Sequence, residues 1–400
     1  MVSVQPFQPG GTVICPPSKS DTHRLLILSA LCEGETITEH PLFCGDTLAT
    51  ADCLRALGAR IEPENGAVRV RGIQRVSGVP RLNAGLSGST LRFLLPVACA
   101  LYDRVTFTAE EGLKGRPLSP LLDCLRRFGV AFDSDTPPLT SRGLLKPGIY
   151  RADGSVSSQY VTGLLLAAPL TGGRVEIGPD PVSRPYIDLT LMRQSLFLKN
   201  GRYVSPGTVR AEGDWSTAAV LLSAGALSDT GVTVSGLDPE SPQGDRAILR
   251  ILADLGARVT WNGDSVTVRR GRPECIKADL SHTPDLIAPA AFLACAARGE
   301  SVLSGCERLK YKECDRADCI CRMINDLGGE ARSENGSLYI RGGSLKGGTA
   351  LCRGDHRMVM AASLMGMLAP VTLDSADAVG KSCPDFFALY RRLGGKLYGI

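Results

Sequence analysis

The chain has 400 residues, 44% of them apolar and 22% charged, and 45 basic against 41 acidic side chains leave a net charge of only +4. So even a balance excludes a general nucleic-acid binder: any anion must be held by local clusters of cations, and the substrate is expected to be small. The length favours two large domains.

Residues 1–11 lack the basic start and apolar stretch of a secretory leader, so the fourteen cysteines are read as reduced thiols of a cytoplasmic protein. Cys306, Cys314, Cys319 and Cys321 lack the paired spacing of a zinc site and are read as small apolar fillers, with no metal expected. The apolar stretches 161–170, 286–297 and 358–373 are short or broken by proline, serine or glycine, so no membrane partner is expected.

In chain order, the first marked segment is Pro16-Pro-Ser-Lys-Ser-Asp-Thr-His-Arg24, ahead of the apolar run 25–28. It predicts a helix start, where free N–H groups and the positive end of the helix dipole favour an anion. Ser20 and Arg24, four apart, share a face. Simple capping by Ser18 or Ser20 explains the same residues.

A phrase of helix end, glycine and strand follows at 53–61 and returns at 124–132, 251–259, 323–331 and 389–397. Its glycines, Gly58, Gly129, Gly256, Gly328 and Gly394, are mostly about 70 residues apart, the spacing of a repeated supersecondary unit. The double gap after Gly129 leaves room for a degenerate sixth copy around 189–200. Hairpins are expected at Asn65-Gly66, Asn262-Gly263 and Asn335-Gly336. With apolar helices between them, the units read as βαβαββ, three in each half, with Glu212-Gly213-Asp214 at the crossover and residues 1–14 pairing back onto the second half.

Polar chemistry recurs where loops give way to helices. Gly85-Leu-Ser-Gly-Ser-Thr-Leu-Arg92 combines glycines for close backbone approach with a helical arginine. Arg116 stands just ahead of a helix begun by Pro117. Ser155-Val-Ser-Ser-Gln-Tyr160 and Ser183-Arg-Pro-Tyr-Ile-Asp188 add hydroxyls, Asp355-His-Arg357 opens the helix 358–367, and Gly380-Lys-Ser382 precedes another helix start. Each instance alone fits capping; so many cations at helix starts point to several converging on one pocket, where planar arginines suit carboxylate or phosphate. Asp285 starts the helix 286–297, and Glu313 is expected to share a helical face with Arg316. Cations nearby would keep either acid ionised, as a base requires.

Taken in order, Pro17-Ser18-Lys19-Ser20 with Arg24, the 87–92 segment, Arg116-Pro117, 155–160, 183–188, Glu212-Gly213-Asp214, Pro284-Asp285, Lys312-Glu313-Cys314-Asp315-Arg316, Asp355-His356-Arg357 and Lys381 before Pro384-Asp385 resemble the enolpyruvyl transferases, in particular the EPSP synthase family. The resemblance implies a two-domain α/β fold in which each domain is three βαβαββ units, an inside-out α/β barrel. Residues 15–212 would form the first domain, on the shikimate-phosphate side, and 1–14 with 213–400 the second, with the active site in the cleft between them. It implies transfer of the carboxyvinyl group of phosphoenolpyruvate to the 5-hydroxyl of shikimate 3-phosphate through a tetrahedral intermediate, by a monomer needing no cofactor or metal.

By position, the resemblance assigns Lys19, Ser20, Arg24, Ser157, Ser158, Gln159, Ser183, Asp285 and Lys312 to shikimate 3-phosphate. It assigns Lys19, Gly88, Arg116, Gln159, Arg316, Arg357 and Lys381 to phosphoenolpyruvate. Asp285 would be the base toward the 5-hydroxyl, and Glu313 with Lys19 would handle the proton at the methylene carbon. Leu86, His23 and Arg308 depart from asparagines common in the family, and His23 is read as a bystander.

The sister transferases that use UDP-N-acetylglucosamine usually carry a cysteine in the loop before the arginine-proline pair; Glu110-Glu-Gly-Leu-Lys-Gly-Arg116 has none. A noncatalytic anion binder would leave Asp285 and Glu313 unexplained and would want a basic face.

Overall fold

A computed structural model describes residues 1–399. The chain divides into two compact units, Pro17–Glu212, and Met1–Pro16 together with the chain from Gly213 onward. Each has its own apolar core.

The architecture is mixed α/β and built by repetition. Five sheets have four strands and one pattern: a parallel pair, then two antiparallel neighbours. In one of them Arg81–Asn83 runs parallel to Arg104–Thr108, which pairs antiparallel with Leu139–Arg142, and that strand with Ala131–Phe132. The sixth copy is degenerate here too. Ile149–Ala152 pairs in parallel with Arg174–Ile177, and Leu198–Lys199 pairs with Arg202–Tyr203, but no ladder joins the two pairs. Its helix, Arg184–Phe197, passes into the strand through an extended Leu198 with no glycine stop, which explains why the repeated phrase fades there.

The other five glycines all adopt positive φ, from +81° to +102°. At Gly58 a Cβ would also lie 1.9 Å from the Gln74 carbonyl oxygen, so both conformation and space demand glycine. Two-residue turns form at Asn65-Gly66 and Asn335-Gly336, and also at Asn200-Gly201. The third expected turn is shifted by one residue. Asn262 pairs with Ser265, so Gly263-Asp264 make the turn and Asn262 ends its strand.

In the unit containing Gly213, the N-terminal segment supplies two strands. Val2–Gln5 pairs antiparallel with Val371–Leu373 and Lys396–Tyr398, and Gly11–Ile14 runs parallel to Val232–Ser235. The helices Trp215–Gly225, Ile287–Ala296 and His356–Met365 pack on one another, and the first and last are buried along their whole length. Strands such as Ser337–Arg341 alternate covered and exposed residues around them. Helices inside and sheets outside therefore describe the layering, but the expected barrel is not closed. Each sheet is open and ends on unpaired edges.

In Pro17–Glu212 the helices Gly88–Leu101 and Ser158–Thr171 meet most closely. Gly163 makes this possible, since a Cβ there would lie 2.2 Å from the Arg92 carbonyl oxygen. The approach brings the polar first turns of both helices together. No helix among the described residues is long and apolar enough to cross a membrane. All fourteen cysteines are free thiols, and no group of His, Cys, Asp or Glu among the described residues is placed to hold a metal.

Candidate active-site residues

In Pro17–Glu212 the helix Lys19–Leu31 starts at Ser18, whose hydroxyl caps it by accepting from the Asp21 amide. Lys19, in the first turn, extends Nζ to 3.0 Å from the buried Asp46 carboxylate. One turn on, Arg24 is 2% exposed. Its donors reach the Ser20 carbonyl at 2.6 Å, the Tyr186 carbonyl at 2.7 Å and the Thr190 hydroxyl at 2.8 Å, with Thr162 Oγ1 further off, and its guanidinium lies over Phe93. All these oxygens are neutral. Burial pulls the guanidinium down to about 10, and the neighbouring Asp21 only partly offsets this because its carboxylate is taken by Arg193. No carboxylate is among the hydrogen-bond partners of this buried cation.

His23, on the same helix, is fully buried with Nδ1 2.8 Å from Thr50 Oγ1. Burial lowers it to about 3, so it is neutral at physiological pH and serves packing.

The close helix pair forms a second group. Arg92 donates to Gln159 Oε1 at 2.8 Å and to the Pro117 carbonyl at 3.1 Å, and Gln159 Nε2 donates to Ser89 Oγ. Gly88 faces them: a Cβ there would be 2.6 Å from Arg92, 3.6 Å from Gln159 and 3.7 Å from Arg116. Gly88, Arg116 and Gln159 are thus brought together, with Arg92, which the resemblance does not assign, as their centre. Pro117 does not begin a helix. The next helix is Ser119–Arg127, with Pro120 in its first turn, and Arg116 follows the short turn Glu111–Lys114, where its Nε donates to the Gly112 carbonyl.

Ser157 caps the helix Ser158–Thr171 by accepting from the Gln159 amide, and Ser158 is buried in its first turn. Ser183 precedes the helix Arg184–Phe197 in a left-handed conformation, φ +50°, and its hydroxyl makes no capping bond. The left-handed backbone at Ser183 therefore comes with no capping bond to offset its strain.

The other unit carries a denser cluster. Arg316, 1% exposed, starts the helix Arg316–Asp326 and meets three carboxylates: Asp285 at 2.6 Å, Asp355 at 2.8 Å and Glu313 at 2.9 Å. Asp315, not Glu313, caps this helix, so Glu313 lies on the bend before it and the expected shared helical face does not exist. A bend lets Glu313 face both ways: its other oxygen accepts from Lys381 Nζ at 2.5 Å.

Asp285 lies in the 3-10 turn Pro284–Leu286, ahead of Ile287–Ala296. Besides Arg316, it has Lys312 and Arg357 each at 3.4 Å. Burial works against its charge, but Lys312, Arg357 and Arg316 together outweigh burial and hold the carboxyl well below the usual range. Burial also pulls Lys312 down, against the attraction of Asp285. Asp355, fully buried, caps the helix His356–Met365 by accepting from the Arg357 amide while gripping Arg316 with both oxygens. Asp285, Lys312, Glu313, Arg316, Arg357 and Lys381 therefore form one connected network.

A sequence model described as "EPSP synthase (3-phosphoshikimate 1-carboxyvinyltransferase)" matches residues 6–389. The chain belongs to the EPSP synthase family. Curated members called 3-phosphoshikimate 1-carboxyvinyltransferase include one from Methanocorpusculum labreanum, 34% identical with 98% of this chain and 97% of that protein covered. Another, from Aeropyrum pernix, is 37% identical with 100% and 97% covered. Among solved structures, the EPSP synthase of Acinetobacter baumannii superposes with a TM-score of 0.81 at 23% identity, covering 100% of this chain and 99% of that one. The enolpyruvyl transferase NikO from Streptomyces tendae gives 0.80 at 16%, with 99% and 98% covered. At such identities these two likenesses speak to the fold, which is that of the EPSP synthase family and its wider enolpyruvyl transferase kin.

The resemblance left Asp46, Arg92, Asp355 and Asp245 without assigned roles. Three of them share a legible signal. Asp46, Asp245 and Asp355, like Asp214, each follow a glycine at a helix start, and all four are buried. Two of them, Asp46 and Asp355, are the counterparts of cations at other helix starts, Lys19 and Arg316.

Proposed function

We propose that this chain transfers the carboxyvinyl group of phosphoenolpyruvate to the 5-hydroxyl of shikimate 3-phosphate, releasing phosphate and 5-enolpyruvylshikimate 3-phosphate in the shikimate pathway. The observation that carries this reading is the network centred on Asp285 and Arg316, four cations and three carboxylates linked within hydrogen-bond range.

Both substrates are multiply charged anions that repel each other, so preorganised cations must bring them together and stabilise charge as phosphate leaves. At rest the network's own carboxylates occupy its cations. Arriving phosphate and carboxylate groups compete for Lys312, Arg316, Arg357 and Lys381, and Asp285 then loses the charges that depress its basicity. A base too weak in the empty protein becomes a better one with substrate in place.

In the addition step, the 5-hydroxyl oxygen bonds to C2 of phosphoenolpyruvate while its proton goes to Asp285, and the methylene carbon takes a proton handled by Glu313 with Lys19, whose ammonium carries one while the Glu313 carboxylate is paired with Arg316 and Lys381. In the elimination, the C2–O bond to phosphate breaks and a methyl proton returns to the same group. Ser20, Arg24, Ser157, Ser158, Gln159, Ser183 and Lys312 are assigned to shikimate 3-phosphate, with Lys19 and Asp285. Lys19, Gly88, Arg116, Gln159, Arg316, Arg357 and Lys381 are assigned to phosphoenolpyruvate, with Arg92 behind Gly88. The reading includes a monomer, and fourteen free thiols support a cytoplasmic setting.

The test is phosphate release from the purified chain without added metal. Release only when shikimate 3-phosphate and phosphoenolpyruvate are both present is the expected result; release with UDP-N-acetylglucosamine instead, or no release with either acceptor, would overturn the reading.

A further inference from the structure

One buried ion pair in Pro17–Glu212 has no part in the reaction above. Asp21, in the first turn of Lys19–Leu31, is fully buried and lies three residues before Arg24. Its Oδ1 accepts from Arg193 Nε at 2.6 Å, and its Oδ2 accepts from Arg193 NH2 at 2.5 Å and from the Glu212 amide at 3.1 Å. Glu212 is held by its carbonyl as well, which accepts from the Ser18 amide at 2.7 Å. An acid at 21 therefore suits both the helix start, whose dipole favours negative charge, and the last residue of the unit, whose amide it binds.

The same acid is a hazard to Arg24. Oppositely charged side chains three apart on a helix are neighbours and ordinarily pair. Both side chains also face one partner: Arg24 donates to the Tyr186 carbonyl and the Thr190 hydroxyl, and Asp21 meets Arg193 on the next turn of the same helix, Arg184–Phe197. Burial pulls the Arg24 guanidinium down, while Asp21 acts against burial and Arg193 acts with it. Yet Arg24 and Asp21 form no ion pair. Every hydrogen bond from Arg24 goes to a neutral oxygen, and both oxygens of Asp21 are taken by the Arg193 fork, a planar match to a carboxylate that a single ammonium cannot reproduce.

We propose that Arg193 is a positioning residue for the shikimate-phosphate site: by engaging both oxygens of Asp21 it keeps that carboxylate off Arg24, so that the Arg24 guanidinium stays available to the substrate phosphate. The inference rests on the proposed transfer reaction, in which Arg24 is assigned to shikimate 3-phosphate. With the fork removed, a buried carboxylate is left short of a counter-charge and turns to the cation three residues on, and the substrate must then displace it. With the carboxylate removed as well, the competition ends. Arg193 thus acts on the site only through Asp21.

The experiment measures equilibrium binding of shikimate 3-phosphate by calorimetry to the unaltered chain, Arg193→Met, Asp21→Asn and the double variant, alongside KM for phosphoenolpyruvate. Arg193→Met is expected to raise Kd for shikimate 3-phosphate about tenfold, within the range of coupling between contacting charges, with KM for phosphoenolpyruvate changed by no more than about twofold. Asp21→Asn alone should leave Kd within about twofold, and added to Arg193→Met it should bring Kd back to within about threefold of the unaltered value. If the ion pair merely braces two helices, the double variant binds as weakly as Arg193→Met or more weakly. That absence of rescue overturns the proposal, as does an unchanged Kd in Arg193→Met. Should Arg193→Met not fold, Arg193→Lys, which keeps the charge and loses the fork, takes its place: a rise of about threefold that Asp21→Asn cancels is expected, and no rise, or a rise that persists, overturns the proposal. Failure of the unaltered chain to bind shikimate 3-phosphate, or to release phosphate from the substrate pair, fails the transfer reading instead, a separate outcome from a working enzyme without rescue in the double variant.

Discussion

The buried guanidinium of Arg24, in Pro17–Glu212, gives every hydrogen bond to a neutral oxygen, whereas Arg316, in the other unit, is clasped by three carboxylates. Both are almost inaccessible to water, so both bear the cost of desolvation, but it is met differently. Around Arg316 the protein supplies its own counter-ions, and an incoming anion must displace them. Around Arg24 no carboxylate is hydrogen-bonded, the arrangement expected of the proposed phosphate site. The first arrangement suits groups whose basicity has to change on binding; the second suits simple, tight capture of a phosphate.

The sharpest way to break this contrast is at the base. Asp285→Ala should lower kcat by about 10²–10⁴, the range for loss of general-base catalysis, while equilibrium binding of shikimate 3-phosphate survives. Unimpaired turnover would remove Asp285 from its role. Next in size is the pair Arg316→Met and Arg24→Met, compared by denaturant unfolding. Arg316→Met strands three buried carboxylates and should cost about 3–5 kcal/mol of stability, whereas Arg24→Met, with no carboxylate left behind, should cost about 1 kcal/mol or less. Equal losses would show that the two cations are not differently compensated. Arg24→Met should instead raise KM for shikimate 3-phosphate about 30-fold or more, as expected when a buried charge loses its partner. The smallest effect is expected at Gly88→Ala. Its new Cβ must push Arg92 from its 2.6 Å position, raising KM for phosphoenolpyruvate about tenfold through misplacement of the anion site, with little change for shikimate 3-phosphate.

Much of this was legible in the sequence because it depends on local chemistry. Glycine stops, Asn-Gly turns and Ser-capped helix starts are decided within a few residues, and five of the six repeats follow them. The Gly263-Asp264 turn shifted because register is set by the strand partner, Asn262 opposite Ser265, and not by the dipeptide alone. The cations at helix starts were visible for the same local reason. Their counter-ions were not: Asp46 is 27 residues from Lys19, Asp355 is 39 from Arg316, and only folding selects which carboxylate meets which cation. Glu313 shows the opposite error. Its spacing from Arg316 looked helical, and the contact is real, but it is made from a bend, because Asp315 caps the helix between them. The Gly-Asp pairs at helix starts were readable as buried acids, but which of them meets a cation, Asp46 and Asp355 and not Asp245, is decided only by the fold.

The split sixth sheet also has a consequence for motion. Elsewhere each βαβαββ unit is tied by three ladders, so opening one strand means breaking cooperative hydrogen bonds across a whole sheet. In the sixth copy two short ribbons can come apart independently; Ser183 lies between them, while Ser157, Ser158 and Gln159 lie between the two strands of the first. Of the residues assigned to the shikimate side, Ser183 thus stands on the connection between two ribbons that share no ladder, where local opening breaks the fewest strand hydrogen bonds. A repeat that lost its stitching gives up rigidity where a ligand can restore it.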